Sequence, residues 1–471
     1  MSKSFHASIS DLGKLSLSRA MCQALSSPIA GVLGDKFDRT KIVLIGAILW
    51  AIMNLAISVS TSLSVAMVFC SLNGCCFAMV CPCLSSLMAD VTPPKERGSA
   101  FGIMAFISSL GGMLGAYYAT RIGSKYVHIG GYSIDGWRVS FQTLALISIA
   151  AGVFMRLAGR DPKVKAAGYE GLQSARGIKG TLKALYNSLA YLVRIPSFVL
   201  IILQGVVALY NSLAYLVRIP SFVLIILQGM VGTIPWTCMS FFTVWFQIMG
   251  FSSGGASSLV AIFTFGCALG GIIGGFLGDY AAKKSENHGR IIVGQASILF
   301  GLPLTVSLCS LSPSGPFIAN EAEILVWYYY ASKLFLLGLA SSWCGCNNNA
   351  ILVDIIPRSL FSQVYAFDRT FEGAVGAMGA PLVGIVTSRV FGFNHSLEEA
   401  QHNDEIRGIA AMALSKSLLW CLCLPWTICL IFYSLLHFKY PKDRKKASLL
   451  ASELGPVCSP QEEALLGYKA P

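Results

Sequence analysis

Eleven residues near the start of the chain, GVLGDKFDRTK (Gly31–Lys41), carry two acids and three bases, in a protein of which only 12% is charged. Asp35 stands where one apolar run ends, and Arg39 and Lys41 stand where the next begins. A carboxylate near a neighbouring helix N-terminus, with guanidinium donors in reach, can form a latch of charge-assisted hydrogen bonds. Gly31 and Gly34 remove side chains where two membrane helices must approach closely. On these residues alone, an ordinary charged turn accounts for the pattern equally well. The pattern recurs, however, as GGFLGDYAAKKSENHGR at 274–290, which supplies Gly278, Asp279 and Arg290. A second pair recurs too: Asp90-Val91-Thr92-Pro93, leading to Arg97, parallels Asp354-Ile355-Ile356-Pro357.

Other chemistry lies inside apolar runs, where an ionisable side chain is a functional candidate because burying it unpaired is costly. Arg19 faces a cavity or an interface, and Lys333 faces a cavity or snorkels past the aromatic stretch Trp327–Tyr330. Asp368, Arg369 and Glu372 cluster where a span is expected to begin, with Asp368 and Glu372 on one helix face. Asn347 and Asn348, within Asn347–Asn349, hydrogen-bond a polar substrate or glue helices together. No G-x-S-x-G elbow and no H-E-x-x-H pair is present, so catalysis is not expected. No metal or cofactor is expected either. Most of the fifteen cysteines sit in apolar runs without histidine at ligand spacing and read as small packing residues. No histidine lies deep in a span, which disfavours a histidine proton relay.

The elements that must hold these residues are membrane helices. The chain has 471 residues, 55% of them hydrophobic. Apolar runs long enough to cross a hydrocarbon core of about 30 Å recur from end to end. The spans expected are 15–34, 42–61, 64–89, 99–120 and 139–158, then 221–245, 257–279, 290–310, 325–350, 366–392 and 413–437. This is an all-α polytopic membrane protein of about eleven spans, with an N-terminal bundle (1–158), a linker (159–218), a C-terminal bundle (219–438) and a tail (439–471). The N-terminus lacks the compact apolar core of a signal peptide. Within the linker a 24-residue segment repeats, 184–207 recurring at 208–231 with a single difference, Val206 against Met230. Two near-identical copies read as a tandem duplication rather than an architecture. Its uncharged stretch, 195–217, is long enough to span. If it does not, 23 Lys and Arg fall on one side of the membrane and 4 on the other, which the positive-inside rule favours. Linker and tail are then cytosolic. The net charge of +12 reflects this bias, and nucleic acid is not an expected partner.

With its two LGD turns and two D-x-x-P turns, the sequence resembles the major facilitator superfamily. Gly31, Leu33, Gly34, Asp35, Lys36 and Arg39 match the signature G-x-L-[GA]-D-[RK]-x-x-R. DVTPPKERGSAFG (90–102) resembles the turn after the family's fourth helix, and GWR (136–138) the entry to its sixth. VRIPSFVLIILQGMVGTIPW (217–236) and YAFDRTFE (365–372) resemble a plant-type subgroup related to spinster-like transporters. The resemblance implies two six-helix bundles, a central cavity and alternating access. It implies that the LGD turn, together with Asp368, Arg369 and Glu372, works as a gate rather than touching substrate. By the family count, residues 15–34 are the second helix and the first is missing, while Cys70 stands where an Arg is frequent in the fourth.

The expected function is therefore secondary transport of a small organic solute or lysolipid, in the plasma membrane or an endomembrane, with a proton as one possible coupling ion. The alternative is a truncated, non-transporting membrane protein. The two differ in whether vesicles show saturable flux.

Overall fold

The computed structural model describes residues 5, 9–123, 126–129, 132–159, 161–162, 210–310, 322–357, 360–376, 378–393 and 404–454. The first half holds α1 (Ile9–Lys36), α2 (Arg39–Val59), α3 (Leu63–Ala78), α4 (Cys81–Val91), α5 (Arg97–Gly123) and α6 (Gly136–Ala158). The second holds α7 (Pro220–Cys238), α8 (Phe242–Ile248), α9 (Ser253–Lys284), α10 (Gly289–Ser310), α11 (Ala322–Ser341), α12 (Trp343–Asp354), α13 (Phe361–Gly376), α14 (Gly379–Ile385) and α15 (Asp404–Leu454). Among the described residues ten segments are long and apolar enough to cross a membrane, with α3–α4, α7–α8, α11–α12 and α13–α14 each acting as one. The eleventh expected span corresponds to α1, which is not among the ten but packs against α3 and α13.

Local signals explain several boundaries. Asp38 accepts from the Thr40 amide at the start of α2, and Ser252 from the Gly255 amide at the start of α9. Pro220 opens α7, where its missing N–H costs nothing. A short antiparallel hairpin, Tyr126–Ile129 with Tyr132–Asp135, precedes α6 and was not anticipated from the sequence. The last helix differs most from expectation. It does not stop near 437 but continues through Pro441 to Leu454, because 442–454 contains strong helix formers and no glycine. The extension is anchored: Asp443 Oδ2 accepts from the Ser221 amide at 2.9 Å and the Ser221 hydroxyl at 2.6 Å, capping α7. The first copy of the duplicated segment, 184–207, lies outside the described residues, while 210–216 of the second copy is helical and leads into α7.

Candidate functional site

The first four amides of any helix lack an intrahelical acceptor and carry partial positive charge. At the start of α5 these amides are answered from the other half of the molecule. Asp279 Oδ1 accepts from the Gly98 amide at 2.9 Å, and Oδ2 accepts from the Ser99 amide at 2.6 Å and its hydroxyl at 2.5 Å. Arg290 pairs with Asp279 at 2.9 Å and donates to the Pro94 carbonyl at 3.0 Å. The second half's LGD turn therefore caps a first-half helix. Backbones touch here as well. A Cβ on Gly275 would lie 2.3 Å from the Gly98 carbonyl oxygen, so only glycine permits this crossing. Beside it, Arg97 of the first half pairs with Asp354 of the second at 3.1 Å, and the Tyr440 hydroxyl donates to the other Asp354 oxygen at 3.0 Å.

A second crossing joins α1 to α13. Gly31 lies against Gln363 and Ala366, and Gly34 against Ser362 and Cys83. The Ser86 and Ser362 hydroxyls are 2.8 Å apart, and the Thr370 hydroxyl donates to the Ala24 carbonyl at 3.0 Å. The α5–α9 crossing lies at the end of the bundles that carries the LGD turns. The α1–α13 crossing begins at that end, at Gly34 and Ser362, and runs on to Ala24 and Thr370. Toward the opposite end of α5, a Cβ on Gly111, Gly112 or Gly115 would meet nothing within 4 Å. On the face of α5 that carries Gly98 and Gly102, contact with α9 is close at the LGD-turn end, and at Gly112 nothing approaches within 4 Å.

The side chain of Asp35 lies outside the described residues. Arg39 is not part of the inter-bundle contact expected of it. Its guanidinium makes two bonds to Asp161 at 2.6 and 3.0 Å, pairs with Asp90 at 2.6 Å and donates to Ser86 at 3.2 Å. All three partners belong to the first half. Arg39 is fully buried and staples α2 to α4 and to the segment after α6. Asp161 was not singled out from the sequence; an acid just after a span and beside a proline is the signal that could have found it.

Asp368, Arg369 and Glu372 lie deeper than expected, because α13 begins at Phe361 rather than near 366. Eleven residues of helix put Glu372 roughly 16 Å from that start, near the middle of a hydrocarbon core of about 30 Å. Arg369 pairs with Glu372 at 3.3 Å and lies 3.9 Å from Asp368. Glu372 lines a cavity of about 80 Å³, with Gln228, Trp236, Asn348 and Trp426 among the other walls. That is room for a few water molecules in this conformation. Asn348 donates to Gln228 Oε1 at 2.5 Å and accepts from the Tyr433 hydroxyl at 2.6 Å, which fixes its amide orientation. Gln228, Tyr433 and the two tryptophans were missed because each reads as an ordinary residue of an apolar span.

The remaining candidates sit elsewhere. Asn347 is fully buried away from the cavity, donating to the Gly274 and Trp343 carbonyls at 3.1 and 2.9 Å. It ties α12 to α9 beside Gly278. One position along a helix turns a side chain by about 100°, which separates it from Asn348. Lys333 donates to the Ser307 carbonyl at 2.7 Å and to the Tyr329 hydroxyl, with its ammonium 3.9 Å from the Tyr329 ring centre. It does not line the cavity. Arg19 donates to Asn73 Oδ1 at 3.1 Å, and Asn73 in turn to Asn54 at 3.1 Å, a polar chain inside the first half.

The model of the Major Facilitator Superfamily matches residues 1–381. The chain belongs to that superfamily. It is accordingly a multi-pass membrane protein. It is 31% identical over 155 residues to the quinolone resistance protein NorA of Staphylococcus aureus strain MRSA252, covering 33% of this chain and 37% of that protein. It is also 31% identical over 113 residues to multidrug resistance protein 2 of Bacillus subtilis strain 168, covering 24% of this chain and 28% of that one. The matches thus span about a third of these relatives' lengths. In fold it resembles the proton:xylose symporter XylE, with a TM-score of 0.56, 14% identity, and coverage of 89% and 86% of the two chains. It also resembles a bacterial homolog of the human lysosomal transporter Spinster, with a TM-score of 0.50, 16% identity, and coverage of 93% and 99%.

Proposed function

We propose that this protein is a secondary transporter that moves a small organic solute across a membrane by alternating access, with no covalent chemistry. The observation that carries the reading is the cross-bundle cap, Asp279 on the Gly98 and Ser99 amides. A contact made of hydrogen bonds to exposed helix ends can open, because water can replace each bond in the parted state. The V-shaped α5–α9 pair is the arrangement expected of one end state of such a cycle. In this reading the LGD turns, the linker and the tail face the cytosol, as the basic bias supports, so the state is closed to the cytosol. The cavity offers a carboxylate, two amides and two indoles at mid-depth, which suits a solute with a ring and a polar or cationic group. A lysolipid is the larger candidate for the same path, and a proton is the candidate coupling ion.

Purified protein in proteoliposomes, offered radiolabelled organic cations, sugars and lysolipids with and without a proton gradient, tests the reading. Saturable flux of one class, abolished by Glu372→Gln without loss of folded protein, is the expected result. Absence of flux for every class, with the bundles locked in one arrangement, would overturn it. The sidedness is tested by cysteine labelling: reaction of a cysteine at position 288 from outside intact cells would reverse the topology.

A further inference from the structure

The residues 417–438 form a run of 22 without a charge, roughly 33 Å of helix, matching a hydrocarbon core of about 30 Å. Lys439 therefore emerges at its edge. Lys446 lies seven residues, or about 10 Å, further, still within a Debye length of the surface at physiological salt. Lys439, Lys442, Lys445 and Lys446 are all exposed, and none has an acidic partner among the described residues. About 3.6 residues per turn put Lys442, Lys445, Phe438 and Leu449 on the face of α15 opposite Tyr440, which is buried. Phe438 and Leu449 are exposed at 71% and 53%, so cationic and apolar residues share this outer face. That mixture suits an anionic leaflet surface.

The inner face reaches the clamp. Tyr440 donates to Asp354, whose other oxygen holds Arg97 of the opposite bundle. One turn later, Asp443 caps α7, and Arg444 binds Glu286 and Asn287 beside α9 at 3.2 and 3.3 Å. The helix extension is thus rigidly joined to three parts of the second bundle, and one of those joints orients an inter-bundle ion pair.

We infer that the α15 extension is a sensor for the anionic lipid headgroups of the leaflet it leaves, acting on the inter-bundle clamp through Tyr440 and Asp354. Seating the lysines on the leaflet fixes α15, holds Tyr440 against Asp354 and favours the paired Arg97. An anionic leaflet then raises the closed fraction. The inference rests on the clamp being the moving contact of the proposed cycle.

Hydrogen exchange read by mass spectrometry tests it on the full chain in nanodiscs of pure phosphatidylcholine or with added phosphatidylglycerol. The reporter is a peptide over residues 92–104, since the Gly98 and Ser99 amides are shielded only while Asp279 caps them. The wild type should exchange more slowly in anionic discs. The triple variant Lys442→Gln, Lys445→Gln, Lys446→Gln should lose that difference. So should Tyr440→Phe, although its lysines remain. A Tyr440→Phe protein that keeps the full difference overturns the route through Asp354. A triple variant that keeps it overturns the sensor. If inorganic phosphate in neutral discs reproduces the slowing, the surface is an anion site and not a leaflet contact. If lipid has no effect while Asp279→Asn still speeds exchange, the inference falls and the clamp stands. If Asp279→Asn has no effect either, the clamp itself falls.

Discussion

Replacing Asp279 by Asn separates what the clamp does from what merely holds the fold. The carboxylate makes three cross-bundle hydrogen bonds, to the Gly98 amide, the Ser99 amide and the Ser99 hydroxyl. Asn keeps one acceptor oxygen and turns an NH2 toward the remaining donor or donors, so at least one of the three is lost or mismatched. Hydrogen bonds to charged groups are worth about 1.5–3 kcal/mol each, but in the open state water takes their place. A net shift of about 1–3 kcal/mol toward the open state follows, or roughly 5- to 150-fold in the closed-to-open ratio. Arg290 pairs with Asp279 within one bundle, so the cost of disrupting that pair is common to both states and cancels from the ratio. It still lowers overall stability, since a buried guanidinium loses its counter-charge. Cys83 is a built-in reporter: it is fully buried under Gly34 and lies beside the α1–α13 crossing. Its alkylation by a maleimide, followed by mass spectrometry of the intact protein's peptides, should accelerate by the factor above. A variant that melts earlier yet alkylates Cys83 at the wild-type rate would show that the cap is structural and does not govern opening.

Four other substitutions discriminate further. Arg39→Ala leaves Asp90 and Asp161 facing each other with their shared cation gone, which should cost about 3–5 kcal/mol. A large fall in melting temperature in detergent, without a change in Cys83 alkylation, is the expected pair of results; faster alkylation at unchanged stability would return Arg39 to the gate. Gly275→Val drives a side chain into the Gly98 carbonyl and should hold the bundles apart, whereas Gly112→Val, on about the same face of α5 as Gly98, meets open space and should be silent in the same assay. Equal behaviour of the two would refute the V-shaped closure. Lys333→Ala removes an ammonium stacked on Tyr329, worth about 0.5–1 kcal/mol, and should leave solute flux unchanged.

Much of the fold was legible because long apolar runs and their charged breaks are dictated by the bilayer itself. Every expected span lies on a helix of the structure, and Asp279 of the LGD turn at 278–279 lies against the first-half helix α5. What the sequence concealed is depth and facing. Asp368 and Glu372 were assigned to a helix start because the apolar run was read from 366, and the five extra residues from Phe361 place Glu372 some three turns into the helix. Asn347 and Asn348 are adjacent and chemically identical, so only packing distinguishes the one beside Gly278 from the one in the cavity. Arg39 was read from its neighbours in sequence, whereas its partner Asp161 lies 122 residues away. No local pattern links the two.

Two of the ionic contacts near the LGD turns, at Arg39 and at Asp279, illustrate a division of labour that follows from electrostatics. Arg39 is enclosed by two carboxylates of its own bundle, with none of its side chain exposed. Parting such a cluster would strand buried charges, so it holds the same form throughout a rigid-body motion. Asp279 instead meets amide ends and a hydroxyl across the bundle gap, while its charge is answered by Arg290 on its own side. When the bundles separate, the Asp279–Arg290 pair travels intact and its amide and hydroxyl donors pass to water, while Arg97 and Asp354, which part, keep the Ala89 carbonyl and the Tyr440 hydroxyl on their own sides. The cost of opening is therefore a few exchanged hydrogen bonds and one edge ion pair, Arg97–Asp354, rather than the break-up of an enclosed charge cluster. That keeps two states within a few kcal/mol of each other, the condition under which a bound solute or a lipid surface can choose between them.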